Sequence, residues 1–226
     1  MSNSIIKEFF KISCEVGCCK YFKQCRNDCS YLDNSINSTP QPGFIGKRYN
    51  GLVIIAANPG IPNVSPFIER EPIYLNLVKK FSEKRDYNCF LQYLEYASDY
   101  MSTWRNNLAN RDFRELLGYN IETIAYINIV KCRSSPTGSD PIKTVGREVT
   151  ERCFNTFLKK QLEILQPKAI VGHWKPIPKT LAELGYYTSR PIPCYSGQRN
   201  LTIKERVKDL IPYFENLDIA RTEHER

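Results

Sequence analysis

The sequence lacks several features that would place it outside the globular proteins. None of its apolar runs approaches the roughly 18–20 residues needed to cross a bilayer, so we expect a soluble protein. The first residues, MSNSIIKEFFKIS, lack the basic region and long apolar stretch of a secretory signal. We therefore expect a cytoplasmic protein, nucleoid-associated in a bacterium, in which the nine cysteines do not form a disulfide framework.

The composition is that of an ordinary folded protein with a basic surface. With 42% hydrophobic and 25% charged residues, the chain resembles neither a disordered nor a collagen-like sequence. The 226 residues predict a single monomeric domain, with a Cys-rich segment (1–50) packed on a core (51–217) and followed by a tail (218–226). The 32 Lys and Arg outnumber the 24 Asp and Glu, and this net charge of +8 favours a polyanionic partner such as nucleic acid.

Hydrophobic runs and amphipathic segments alternate along the core. Continuous apolar runs predict buried strands at 51–57, 123–130, 168–172 and 191–194. Amphipathic spacing predicts two or three helices within 71–117 and further helices at 148–166, 178–184 and 203–217. Residues 30–50, rich in Ser, Asn, Pro and Gly, predict an irregular connector. This alternation indicates an α/β fold with a parallel sheet, whose ligands bind at the carboxyl ends of the strands.

Three segments in the matching order resemble motifs of the uracil-DNA glycosylase superfamily, especially its iron–sulfur branch, family 4. They are AANPG (56–60), INIVKCR (127–133) and CFNTFLKKQLEILQPKAIV (153–171). The resemblance implies a three-layer α/β/α sandwich with a central, mainly parallel four-stranded sheet. It also implies a monofunctional enzyme that flips a uracil, or another damaged or modified base, out of DNA and hydrolyses its N-glycosidic bond.

The same resemblance implies a [4Fe–4S] cluster held by four cysteine thiolates. Two of the ligands correspond to Cys132 and Cys153. The N-terminal pair is Cys25 and Cys29 or, alternatively, Cys14 and Cys18; three residues separate the members of either pair, where the family pattern has two. Zinc in the same four thiolates is the alternative cofactor.

The motifs also imply roles at the strand ends. Asn58 corresponds to the Asn that orients the attacking water in mismatch-specific glycosylases, whereas family 4 has an acidic residue where this chain has Ala57. Ala57 and Gly60 belong to the same base-binding motif. Asn128 corresponds to the residue that pairs with the flipped base, and Phe67 to the aromatic residue that stacks on it.

The last motif departs furthest from the family. Where members carry a His-Pro-Ser sequence, this chain has CYSGQRN (194–200), with Cys194 at the position of the His. Ser196 is expected to contact a phosphate, and Gln198 or Arg199 to enter the gap that the flipped base leaves.

Two further residues are candidates for roles near the site. Lys131 is expected to contact the DNA backbone. For His173, after the third predicted strand, two roles stay open: a hydrogen-bond donor at the site, or a surface or helix-cap residue. Two alternatives stay open: a glycosylase specific for modified pyrimidines in phage DNA, and a catalytically silent DNA-binding module with a structural cluster or zinc.

Overall fold

The computed structural model describes residues 2–36, 38–60, 65, 67–104, 107–135, 140–195 and 201–215. Its helices are α1 (Ser2–Gly17), α2 (Phe22–Asp28), α3 (Phe67–Lys84), α4 (Tyr87–Ser102), α5 (Arg111–Leu117), α6 (Pro141–Val145), α7 (Arg147–Cys153), α8 (Lys159–Leu165), α9 (Pro176–Glu183), α10 (Ile203–Val207) and α11 (Ile211–Glu215). A 3₁₀ turn (Ile121–Thr123) and a π-helical segment (Phe154–Leu158) complete the helical structure. Within these residues, no helix combines the length and apolarity needed to span a membrane.

The helices surround a four-stranded mixed sheet with the order β1-β3-β2-β4. Its strands are β1 (Phe44–Ile45), β2 (Leu52–Ala56), β3 (Ile124–Asn128) and β4 (Ala169–Gly172). β2 pairs in parallel with β3 on one side and β4 on the other, whereas the short edge strand β1 is antiparallel to β3. The α/β class and the three parallel strands are therefore as predicted, but the sheet is not purely parallel.

The burial of the strands explains their composition. Every residue of all four strands is buried, which requires protein on both faces of the sheet. Strands buried in this way favour continuous β-branched and apolar runs, as in the LVIIA sequence of β2. The helices and sheet are compatible with a three-layer arrangement.

The fourth strand lies in a different segment from the one predicted. At 191–194 the structure has only an isolated bridge, between Cys194 and Gly172. β1 instead lies within residues 30–50, which we predicted as a connector. The two-residue strand is flanked by Gly43 and Gly46. From the sequence alone, these glycines favour a turn over a strand. In the structure they allow close approach, because a Cβ on Gly43 would lie 2.6 Å from Tyr126 O and one on Gly46 would lie 2.2 Å from Glu122 O.

The predicted helices correspond to shorter or interrupted elements. The region 71–117 contains the predicted helices as α3, α4 and α5. The amphipathic helix predicted at 148–166 is α7 and α8 joined through the π-helical segment. The last predicted helix is divided into α10 and α11. Hydrophobic spacing therefore located the helices, whereas their interruptions depend on local hydrogen bonding.

The contact of Gly43 with β3 predicts a position-dependent cost of adding a methyl group. Gly43 and Gly118 both have left-handed φ, of 90° and 72°, so alanine at either position costs about 1–2 kcal/mol in backbone conformation. No atom lies within 4 Å of a Cβ on Gly118. Gly43→Ala should therefore lower the free energy of unfolding in urea by about 1–3 kcal/mol more than Gly118→Ala, because only Gly43→Ala overpacks the strand. Equal losses would contradict this placement of β1.

Candidate active site and cysteine cavity

The loops that follow β2 and β3 run side by side at the carboxyl edge of the sheet. The Val130 N–H donates to Ala57 O at 2.9 Å, and Gly60 forms a parallel bridge with Ser134. The pairing of β2 with β3 therefore continues beyond the strands themselves. This continuation places the residues of the AANPG motif directly beside those that follow Asn128.

Asn58 lies in the first of these loops and is only 6% exposed. Its Nδ2 donates to Ser134 Oγ at 2.6 Å and to Pro59 O at 3.1 Å. Its Oδ1 is buried, and no described residue donates a hydrogen bond to it. Buried acceptors are seldom left without a donor, so this oxygen marks a position for a donor that is not part of the described protein.

Asn128 ends β3 opposite Ala56 of β2 and is also 6% exposed. Its backbone oxygen accepts a hydrogen bond from Lys131 Nζ at 2.5 Å. Among the described residues, none hydrogen-bonds to its side-chain amide. The amide is therefore available to a ligand at the edge where Asn58 lies.

Lys131 is not at the surface, where a phosphate contact would require it to be. Its side chain is fully buried, and Nζ donates to Gln161 Oε1 at 2.5 Å in addition to Asn128 O. Burial lowers the pKa of Lys131 to about 7, and the nearby Cys153 opposes that shift. In this arrangement Lys131 ties the loop after β3 to α8 and does not reach DNA.

His173 follows β4 and is buried among aromatic rings. Its backbone N–H donates to Ile55 O at 2.8 Å, and its ring stacks on Tyr195 with 5.4 Å between centroids. It also contacts Tyr126, which lies two residues before Asn128 and therefore on the same face of the sheet. Burial lowers the pKa of His173 to about 3, so the imidazole is neutral at neutral pH. Its Nδ1 is buried and has no hydrogen-bond partner among the described residues.

Phe67 is the first residue of α3 and is half-buried. Its ring lies 6.4 Å from that of Tyr100, which contacts Trp104 at 5.5 Å. Trp104 in turn lies 6.0 Å from Tyr126. A row of aromatic rings thus connects Phe67 to the ring that contacts His173.

The last motif is described only as far as residue 195. Cys194 is half-buried, and its Sγ lies 3.6 Å from Ile192 O. Burial raises the pKa of the Cys194 thiol to about 11, against the opposing charge of Lys175. Ser196, Gln198 and Arg199 lie outside the described residues, so their predicted DNA contacts stay predictions.

A buried ion-pair network beside the site was not predicted. Arg133 bonds Asp33 on one side and Glu71 on the other, at 3.1 Å to Glu71. Tyr100 OH and Gln41 Nε2 also donate to Glu71, at 2.7 and 3.3 Å. Burial raises the pKa of Glu71, with the hydrogen bond from Tyr100 and the charge of Arg133 opposing the shift. No pattern in the sequence marks these charges as partners, because they come from three distant segments.

Four cysteines line one small cavity, which is partly open to solvent. They are Cys19, Cys25, Cys132 and Cys153. Three of these four belong to the predicted ligand set. The fourth predicted ligand, Cys29, is buried in one apolar cluster with Cys25, Cys132 and Cys153 but does not line the cavity.

The alternative N-terminal pair is not at this cavity. Cys14 is buried in the main core, where its Sγ lies 3.7 Å from Phe81 O, and burial raises the pKa of its thiol to about 11. Cys18 is exposed. In the part of the chain that the structure describes, no three Cys, His, Asp or Glu side chains form a group that could hold a metal ion.

The chemistry of the cavity nevertheless suits a group bound by four thiolates. Burial raises the pKa of Cys153 to about 12, and the nearby sulfurs of Cys25 and Cys19 add to that rise while Lys131 opposes it. A cationic centre offsets such a desolvation cost. Thiolate ligands select zinc and iron–sulfur clusters. The four donors therefore fit either cofactor by type and number.

Comparison with known proteins assigns no family to this chain. No protein-family model matches it, and a search of curated proteins gave no significant match. What bears on function is therefore the site itself, with its two asparagines, its aromatic row and its cysteine cavity.

The burial of His173 predicts a specific pH dependence of stability. The unfolded chain binds a proton on this imidazole below about pH 6.5, whereas the folded chain binds it only near pH 3. Between these values the unfolded state carries more protons, so stability rises with pH by up to about 1.4 kcal/mol per pH unit. Urea unfolding should show that His173→Phe removes this part of the slope.

Tyr126→Phe is the matched control, because it alters the same ring contact without removing a group that titrates in this range. It should keep the slope of the parent protein. A His173→Phe variant whose stability changes with pH as steeply as that of the parent would show that the buried imidazole does not carry the effect.

Proposed function

We propose that the protein is a monofunctional DNA glycosylase of the uracil-DNA glycosylase type. It would extrude a uracil, or another damaged or modified base, and hydrolyse the N-glycosidic bond to leave an abasic site. One observation carries the proposal: Asn58 and Asn128 lie at the carboxyl ends of neighbouring parallel strands, with a buried, unpartnered acceptor on Asn58. The order of the motifs along the chain supports it, as does a sheet compatible with the superfamily's three-layer α/β/α sandwich.

Asn58 would position the water that attacks the sugar. An amide cannot take up a proton at neutral pH, so its role is to accept a hydrogen bond from the water through Oδ1. This suffices if the glycosidic bond breaks before water attacks, because the oxocarbenium-like sugar then needs little help from a general base. Such a mechanism is consistent with the absence of a carboxylate at Ala57.

Asn128 would pair with the extruded base. Its amide offers both a donor and an acceptor, which match a C=O and an N–H on the Watson–Crick edge of uracil. Phe67 would stack on the base from the start of α3, a contact that contributes about 1–3 kcal/mol.

The departing base would be stabilised by a different group from the His of the uracil-DNA glycosylase superfamily. The position of the usual His holds Cys194, and a neutral thiol is a weak donor. His173 is the imidazole that lies at this edge of the sheet, on the face that carries Asn128. Because it is neutral, it would donate a single N–H to the oxygen of the departing base.

DNA, single- or double-stranded, is the proposed partner of a monomeric enzyme. The net charge of +8 favours a polyanion. Ser196, Gln198 and Arg199 remain the proposed DNA contacts of the last motif. Lys131 is buried and is therefore not among the proposed DNA contacts.

The cysteine cavity would hold the [4Fe–4S] cluster, with Cys25, Cys132 and Cys153 among its ligands. When bound, the cluster supplies a rigid cross-link between the N-terminal helices and the loop after β3. It has no part in the bond cleavage described above. Zinc in the same site is the alternative.

A second candidate function is a catalytically silent DNA-binding module. The observations that favour it are Ala57 and Cys194, which replace two groups that in related enzymes each contribute about 10²–10³-fold in rate. A glycosylase specific for modified pyrimidines in phage DNA is a variant of the main proposal.

The proposal is tested with single- and double-stranded oligonucleotides that contain uracil, thymine mispairs, hypoxanthine or modified cytosines. The parent protein should produce alkali-labile abasic sites on at least one of them. Asn58→Ala should lower the rate about 10²-fold or more, whereas Asn155→Ala, at an exposed asparagine, should not. Failure to cut every substrate, or an Asn58→Ala variant as fast as the parent, would refute catalysis. Retained DNA binding in that case would support the silent module.

Ser134 should act as a positioning residue for Asn58. Its Oγ accepts the amide N–H and so keeps Oδ1 turned toward the unpartnered position. Ser134→Ala should lower kcat about tenfold with little change in KM, since one hydrogen bond contributes about 0.5–1.5 kcal/mol. In the Asn58→Ala background the same change should cost nothing further. An equal loss in both backgrounds would indicate a merely structural role.

A further inference from the structure

We infer that Cys19, and not Cys29, is the fourth ligand of the [4Fe–4S] cluster. The inference rests on the proposed function for the identity of the cofactor. For the ligands it rests on which sulfurs surround the cavity. It changes the N-terminal part of the ligand set from Cys25 and Cys29 to Cys19 and Cys25.

The first argument is the lining of the cavity. Cys19, Cys25, Cys132 and Cys153 all border it, with Cys29 outside.

The second argument is the local backbone around Cys19. This residue lies in the turn between the end of α1 and the start of α2, where its N–H donates to Val16 O at 3.1 Å. The turn places Cys19 outside both helices and at the cavity.

The third argument is the position of Cys29. It caps the end of α2, one helical turn after Cys25, and its N–H donates to Cys25 O at 3.0 Å. Its side chain packs in the same apolar cluster as Cys25, Cys132 and Cys153, together with Leu32 and three valines, but it does not line the cavity. A cysteine in such surroundings packs as a small hydrophobic residue.

Two cations complete the surroundings of the four thiols. Arg152 Nη1 lies 3.2 Å from Cys25 Sγ and also lines the cavity. Lys131 also lines the cavity and is fully buried. The proposed glycosylase reaction does not use Lys131. The negative charge of four thiolates would be a physical reason for a buried lysine at this cavity.

The consequence for the fold is a cross-link to the proposed active site. Cys132 lies four residues after Asn128 in the same loop. A cluster held by Cys19 would join that loop to the turn between α1 and α2.

The assignment is tested by iron and sulfide analysis of protein purified without oxygen. The parent should contain about four iron and four sulfide per chain, with a visible charge-transfer band. Cys19→Ser should lose most of the iron, whereas the matched controls Cys29→Ser and Cys18→Ser should keep it. A Cys19→Ser variant with the parent's iron content would overturn the assignment, and so would a parent that holds only zinc after reconstitution with iron and sulfide.

Thiol alkylation of the folded parent covers the case in which Cys19→Ser fails to fold. Cys19 is half-buried and Cys18 exposed. Cys19 should resist alkylation until a chelator removes the iron, whereas Cys18 should react before and after. Equal labelling of Cys19 in both states would refute its role as a ligand. Because iron content and labelling do not depend on base excision, a failure of the ligand assignment is distinguishable from a failure of the proposed function.

Discussion

Parallel pairing of β2 with both of its neighbours is the constraint on which the rest of the structure depends. The register sets Ala56 opposite Asn128 and Ile55 opposite Gly172, so the three strands end at the same edge of the sheet. The polar residues that follow or end these strands are thereby brought together, although 45 or more residues separate them along the chain. Buried strands cannot slide by one residue without reversing every side chain, so this convergence is robust.

The loop after β3 is held by interactions of two different kinds. On one side Arg133 is paired with Asp33 and Glu71, and on the other Cys132 borders the cysteine cavity. Burying a charged triad costs solvation free energy, so its benefit is one of position more than of stability. Ser134 follows Cys132 and Arg133 directly in this loop. Its Oγ accepts a hydrogen bond from Asn58 Nδ2, and this bond orients the Asn58 amide.

The side chains at the carboxyl edge of the sheet are suited to orienting a ligand more than to transferring protons. Asn58 cannot act as a base, and burial keeps His173 neutral and the Cys194 thiol protonated at neutral pH. Within the described residues the site offers a fixed acceptor, an amide without a hydrogen-bond partner and a row of aromatic rings. In the proposed reaction these preorganised dipoles would stabilise the charge that develops on the sugar and the base.

The sequence by itself determined the three parallel strands, the main helices and the expectation that Asn58 and Asn128 would meet. Their signals are local: a buried strand needs a continuous apolar run, and the ends of parallel strands coincide. Only the tertiary structure decided that β1 lies within the connector, that Lys131 is buried and that Cys19 borders the cavity in place of Cys29. These features depend on the path of the chain between distant segments. The spacing of cysteines or charges along the sequence does not record which side chains face a common space.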